Sequence, residues 1–301
     1  MNSIEVRHLS KSYGKVNALN DVSFEVERGE LFGLIGPDGA GKTTLFRLLT
    51  TLLNPDAGTA VVEGLDIVSD YRLIRERVGY MPGRFSLYPD LTVEENLRFF
   101  AALFGSRVEE SYDLIAPVYR QIEPFRHRRA GKLSGGMKQK LALSCALIHR
   151  PSVLFLDEPT TGVDAVSRSE FWDMLTQLKS KGITMLVSTP YMDEASRCDR
   201  VALCNEGSLL DVDTPSGLVA RFGAPLFAVA ADNMYLLLQE SRRIREVVAC
   251  YPFGEAHHLI AGAGFSPERF AAALRDKGVT GLSIRPAVPA IEDMFIKLMG
   301  R

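Results

Sequence analysis

The sequence predicts an α/β fold, a mostly parallel sheet with helices packed on it, followed by a small α+β domain. Three observations predict it. An apolar run at residues 31–35 leads through a glycine-rich loop into a helically periodic segment at 44–49. Strands and helices then alternate from Pro151 to Val212. Beyond Ala224-Pro225 the order becomes βαββαβ, that of a split βαβ sheet.

Residues 4–9 and 22–26 alternate apolar with polar side chains, so two half-exposed strands are expected before the loop. Between them, 11–16 reads as a loop in which Tyr13 is either a plain surface tyrosine or a ring that stacks on a nucleotide base. Gly36-Pro37-Asp38-Gly39-Ala40-Gly41-Lys42-Thr43-Thr44 then matches the spacing Gly-x-x-x-x-Gly-Lys-[Ser/Thr]. Glycines let the backbone turn its N–H groups inward around phosphate, and the helix N-terminus that follows adds positive potential. In such a cradle Lys42 reaches the β- and γ-phosphates and the Thr43 hydroxyl ligates Mg²⁺.

Residues 54–68 hold turn signals and short β pieces, 71–78 looks helical, and 78–82 looks like a strand end. Thr92, with Glu95 three residues on, opens a capped helix carrying Leu97, Phe99, Phe100, Leu103 and Phe104 at helical spacing. The chain stays helical to about Ile148, with breaks at Pro117, Pro124 and 131–136, and this insert is a candidate subdomain. Ser134 caps the helix that runs to His149. Gly135 and Gly136 at its start expose N–H groups, which makes either a second anion site or an ordinary Ser-Gly-Gly loop.

A buried strand bounded by Pro151 and Pro159 ends in two carboxylates. Asp157 is placed to hold Mg²⁺ through its water shell, and Glu158 to accept a proton from water attacking the γ-phosphate. Capping or solubilising charges are the alternative. A helix at 167–181, a strand at 183–188, a helix from Met192 and strands near 201–203 and 207–212 follow. A linker is expected to end near Ala224-Pro225. Strands at 226–230, 246–251, 256–261 and 281–285 then enclose helices at 234–244 and 267–277, and a last helix covers 290–299.

The 301 residues carry 35 Lys+Arg against 37 Asp+Glu, and no basic block is interleaved with aromatics, which argues against nucleic acid as a partner. The N-terminus lacks an apolar signal core and no apolar run approaches the roughly 18 residues of a membrane span, so a cytosolic chain is expected. Cys145, Cys198, Cys204 and Cys250 lack metal-like spacing, and reduced buried thiols are expected.

Together these pieces resemble the ATP-binding cassette ATPases, the motor subunits of ABC transporters. The most specific part is the ordered set 36–43, 133–139 and 154–164, with Leu133-Ser134-Gly135-Gly136 directly before the acidic strand. The resemblance implies a phosphate-loop NTPase core over 1–220 with a helical subdomain over about 84–150, and ATP and Mg²⁺ as cofactors. It implies two cassettes paired head to tail, as a homodimer or heterodimer, with nucleotide between one chain's phosphate loop and the other's Leu-Ser-Gly-Gly helix. Carried over by position, Gly36, Gly39, Ala40, Gly41, Lys42, Thr43 and Thr44 hold the triphosphate, Tyr13 stacks on adenine and Val16 lies near the ribose. Thr43 and Asp157 serve the metal, Glu158 is catalytic, and Ser134, Gly135 and Gly136 touch the partner's nucleotide. Asp164 corresponds to the aspartate of a loop that crosses the dimer seam. Residues 225–301 look like the ferredoxin-like C-terminal extension of drug-exporter ATPases, which also end in a Glu-Asp-x-Phe helix like Glu292-Asp293-Met294-Phe295.

The resemblance implies an ATP-hydrolysing subunit that drives a separate membrane permease, an exporter, from the inner face of the cell membrane. The alternative is a weakly hydrolysing or non-hydrolysing regulatory cassette paired with a competent one. Gly83 stands where the family has a glutamine that senses Mg²⁺ and attacking water, and Pro190 where it has a histidine that contacts the γ-phosphate. Neither offers a side-chain donor or acceptor, so slow turnover is expected at this chain's own site. Asp38 replaces a more usual asparagine and adds a carboxylate near the triphosphate. Finally, 85–91 is expected to group Leu87, Tyr88 and Leu91 as an apolar patch that receives a permease helix or packs the insert onto the core.

Overall fold

In the computed structural model, which describes residues 1–84 and 86–299, the chain begins as a long antiparallel hairpin of β1 (Asn2–Tyr13) and β2 (Val16–Glu27). Both strands run well beyond the alternating segments. Their polar ends are held by pairing, with Tyr13 opposite Val16 across a turn at Gly14, so these two residues close a hairpin and do not lie in a loop. The chain continues through β3 (Leu31–Ile35), α1 (Lys42–Leu49), β4 (Ala57–Val62), β5 (Leu65–Asp66), α2 (Tyr71–Arg77) and β6 (Val78–Met81). Next come α3 (Val93–Leu103), α4 (Tyr112–Tyr119), α5 (Gly135–Leu147), β7 (Val153–Asp157), α6 (Ala165–Ser180), β8 (Thr184–Thr189), β9 (Arg200–Asn205) and β10 (Ser208–Asp213).

Where one mostly parallel sheet was expected, the first of two compact units, Met1–Pro215, contains two sheets. The hairpin joins β4 and β5 in the antiparallel order β2-β1-β4-β5. The second sheet has the order β10-β9-β3-β8-β7-β6 and is parallel except for β10. Helix α1 contributes Leu45, Phe46, Leu48 and Leu49 to an apolar cluster with Val6 and Phe24 of one sheet and Phe32 and Phe155 of the other. Burying a side chain such as Phe46, which meets Phe155 edge-on, stabilises the fold by about 1.5–3 kcal/mol. Register places Ile35 beside Thr189 and Asp157 beside Ser188, so β3, β7 and β8 end level at one edge. In open parallel sheets ligands bind at that edge.

The helical insert begins with a full capping box at Thr92 and Glu95. Pro117 does not break the chain there but sits inside α4. A proline denies the carbonyl four residues earlier its helical partner; that carbonyl, of Asp113, accepts instead from Lys181 Nζ at 2.6 Å. The helix expected from Met192 is a 3₁₀ segment, Met192–Arg197. All four cysteines are buried and outside any disulfide, and burial pushes the thiols of Cys145, Cys198 and Cys204 upward.

The second unit, Ser216–Arg301, starts within α7 (Pro215–Ala220), a helix where a linker was expected. It continues through β11 (Leu226–Ala230), α8 (Met234–Ser241), β12 (Val247–Phe253), β13 (Ala256–Ala261), α9 (Pro267–Arg275), β14 (Ser283–Pro286) and α10 (Ile291–Met299). Its sheet has the antiparallel order β12-β13-β11-β14, the interleaving of a split βαββαβ arrangement. Helix α10 is tied to that sheet by the buried Asp293, which accepts from Tyr251 Oη and meets His258 Nδ1, each at 2.6 Å.

Candidate nucleotide-binding site

The glycine-rich loop leaves β3 at Gly36, where a Cβ atom would lie 2.2 Å from the Cys204 carbonyl oxygen, so only glycine fits. Gly41 has φ +96° and stands at the N-cap of α1 without a side-chain bond. The first-turn N–H groups of α1 therefore have no side chain to cap them and are open to an anion. Lys42 is buried with its ammonium donating to Gly36 O at 2.8 Å and Pro37 O at 2.9 Å, and it lies 3.1 Å from Glu158 Oε1.

Tyr13, Val16, Gly39, Gly41, Lys42, Thr43, Thr44 and Glu158 line one cavity of about 450 Å³. Gly36, Ala40 and Asp157 are buried and do not line it. Asp38 and Glu206 do, and Glu206 is a residue that sequence reasoning missed. It sits at φ +46° beside Gly207 in the turn between β9 and β10, and the signal available was an ordinary Glu-Gly hairpin turn. Three carboxylates thus face one ammonium. A triphosphate enters such a site more readily with a divalent cation, and the oxygen donors of Thr43 and Asp157 are of the hard kind that Mg²⁺ prefers.

The acidic corner is built by β8. Ser188 is fully buried; its hydroxyl donates to Asp157 Oδ1 at 2.7 Å and accepts from the Glu158 N–H at 2.9 Å. Ser188 was also missed, because nothing local marks a serine inside an apolar strand as the partner of a distant acid. Glu158 itself has φ +50°. Burial, with the Asp157 charge nearby, pushes the Tyr80 phenol up to about 12. A Cβ atom at Gly83 would stand 3.0 Å from Asp157 O, and Pro190 follows Thr189, whose carbonyl accepts from Gly36 N at 3.3 Å. Both departures from the family pattern therefore adjoin the acids and the loop.

Ser134, Gly135 and Gly136 are not in this cavity. Ser134 caps α5, accepting from Met137 N at 3.3 Å, and a Cβ at Gly136 would meet Ser167 Oγ at 2.8 Å. Asp164 caps α6, and its bonds from Ser167 hold its carboxyl below the usual range.

A second cavity, of about 530 Å³, opens between the core and the helical insert and is lined mainly by apolar side chains, among them Tyr80, Met81, Leu87, Phe100, Leu103 and Phe104. Leu87 is buried there while Tyr88 is exposed and packs edge-on to Phe99, so the two do not form one surface patch with Leu91. Phe85 lies outside the described residues. His149 also lines this cavity, stacks on Phe104 and bonds through Nε2 to Val78 O at 3.0 Å; burial pushes its pKa down.

A family model described as "ABC transporter" matches residues 19–161. The chain is 43% identical over 220 residues to the probable multidrug ABC transporter ATP-binding protein YbhF of Escherichia coli, a match covering 72% of this chain and 38% of that protein. It thus spans well under half the length of that relative. It is 36% identical over 309 residues to Nod factor export ATP-binding protein I of Burkholderia orbicola, covering 99% of this chain and 97% of the other. Among solved structures, an ATP-binding subunit of an ABC transporter aligns with TM-score 0.66 and 32% identity over 73% of this chain and 93% of that one. Part of the cbiONQ transporter complex, cbiO1 of Clostridium perfringens, aligns with TM-score 0.66 and 26% identity over 73% and 91%. With the glycine-rich loop, the Ser-Gly-Gly helix and the acidic corner in this order, and with these relatives, the chain belongs to the ABC transporter family, among its ATP-binding proteins.

Proposed function

We propose that this chain binds ATP with Mg²⁺ in the 450 Å³ cavity and hydrolyses it to drive a membrane permease that exports its substrate. The observation that carries the reading is the placement of Lys42 and Glu158, 3.1 Å apart, beside the uncapped N-terminus of α1. Residues 36–44 cradle the phosphates, Tyr13 stacks on adenine, and Val16 lies by the ribose. Thr43 and Asp157 hold Mg²⁺, which neutralises charge on the phosphates. Glu158 takes the proton of the attacking water, and Ser188 keeps both acids in place. A second cassette presents its Ser134-Gly135-Gly136 turn, or the equivalent, to this nucleotide, since no such turn lines the cavity in a single chain. Residues 1–220 form the nucleotide-binding domain, and 225–301 form an accessory domain.

No helix among the described residues is long and apolar enough to cross a membrane. In this reading the chain works from the inner membrane face through its permease, and the apolar cavity beside α3 suits a helix of that permease. Export is supported by the names of the relatives. With Gly83 and Pro190 offering no side-chain contact, turnover is below the roughly 1–10 per second expected of an ordinary cassette, yet present because Lys42 and Glu158 remain. Steady-state ATP hydrolysis by the purified chain, with Glu158→Gln as control, tests the reading. Equal phosphate release by both proteins would refute it.

A further inference from the structure

Glu158 sits in a conformation that its own backbone resists. At φ +50° it lies in the left-handed region, where a side chain crowds the following carbonyl. Such a residue stays there only when its surroundings over-determine it. On the N-terminal side, the carbonyl and hydroxyl of Ser188 both accept from the Glu158 N–H, at 3.1 and 2.9 Å. On the C-terminal side, Thr161 N donates to Glu158 O at 3.2 Å, and the buried Thr160 donates its hydroxyl to Glu194 Oε2 at 3.1 Å. Pro159 links the two with its φ locked, so the position of Thr160 passes to Glu158 with little slack.

Glu194 is 3% exposed and does not line the nucleotide cavity. Its carboxylate takes three donors from three separate segments: Thr160 after β7, Thr189 Oγ1 at the end of β8 at 2.5 Å, and Arg168 Nε on α6 at 3.1 Å. Arg168 is held in turn by Asp193 at 3.0 Å and by the Tyr191 ring, 4.1 Å from its guanidinium carbon. Burying a carboxylate is costly unless it is paired and fully bonded, and this one is both.

We propose that Glu194 is a positioning residue for the hydrolytic reaction. Clamped by Arg168, it fixes Thr160, and through Thr160 and Pro159 it holds Glu158 in the left-handed conformation beside Lys42. What Glu158 then does rests on the function proposed above; the holding itself is a property of this backbone.

The test uses Glu194→Gln and Thr160→Val in the full chain, with Thr160→Ser as the variant that restores the hydroxyl. In the first two kcat should fall about 10- to 100-fold while the Kd for ATP stays within about twofold, and Thr160→Ser should recover most of the loss. Amide hydrogen exchange across 157–164 should accelerate in the same two variants and not in Thr160→Ser. Unchanged kcat with unchanged exchange, or an equal loss in Thr160→Ser, would overturn the proposal. Should Glu194→Gln not fold, the near-isosteric Thr160→Val decides. If the wild-type chain binds ATP without turning it over, the proposed function fails in its hydrolytic step, and exchange across 157–164 still decides this inference.

Discussion

Replacing Lys42 by alanine removes the ammonium from the proposed phosphate cradle, and the structure allows the consequence to be sized. Lys42 is 4% exposed and already engages Gly36 O, Pro37 O and the Glu158 carboxylate. An arriving triphosphate offers stronger anionic partners, but some of these contacts must be released, so only the difference reaches the affinity. A charge-assisted hydrogen bond is worth about 1.5–3 kcal/mol, and one net bond of that kind corresponds to about 10- to 150-fold in Kd. Lys42→Ala should weaken binding of a non-hydrolysable ATP analogue with Mg²⁺ by that factor in a calorimetric titration. The truncation also leaves the buried Gly36 carbonyl short of a partner, which should cost the free protein about 1–3 kcal/mol, or several degrees in Tm. Melting without nucleotide separates that loss from the loss of affinity. A folded Lys42→Ala protein that binds the analogue as tightly as wild type would refute the placement of the phosphates at Lys42.

Three further outcomes follow from the same structure. Tyr13, half exposed at the end of its hairpin, should contribute base stacking of about 0.5–1.5 kcal/mol, so Tyr13→Ala should weaken ATP roughly 2- to 12-fold and leave binding of inorganic tripolyphosphate unchanged; equal losses for both ligands would argue against stacking. The pKa of His149 is lowered from its ordinary 6.5 by burial, so the folded state disfavours the proton that the unfolded chain accepts. Its contribution to stability should be complete above that pH and be lost as pH falls through the lower folded value, and urea midpoints should fall less steeply with acidity in His149→Gln than in wild type. At the second cavity, Leu103→Glu at its exposed rim should leave ATP hydrolysis by the isolated chain intact and abolish its stimulation by a co-purified permease; full coupling in that variant would exclude this docking site.

Much of the fold was legible because its signals are local. The apolar run before Gly36, the capping pair Thr92 and Glu95, and the caps Ser134 and Ser266 each act on backbone within a turn or two, and all appear where their chemistry requires. Reading failed where a distant partner supplied what the local sequence lacked. Residues 11–13 are polar and read as a loop, yet pairing with β2 makes them strand. Pro117 reads as a helix break, yet the carbonyl it frees, that of Asp113, is taken by Lys181, 68 positions further along the chain from Asp113.

The site divides along the same line. By itself the sequence determined the glycine-rich loop before α1, the strand ending at Asp157 with Glu158 next to it, and the Ser-Gly-Gly helix start, because each is a property of neighbouring residues: backbone torsion, capping and hydrophobic period. Only the tertiary structure decided that Ser188, 31 positions from Asp157, joins the two acids, and that Glu194 gathers Thr160, Arg168 and Thr189 behind them. Those contacts depend on the parallel register of β7 and β8 and on the packing of α6, and no run of adjacent residues encodes which hydroxyl will meet which carboxylate.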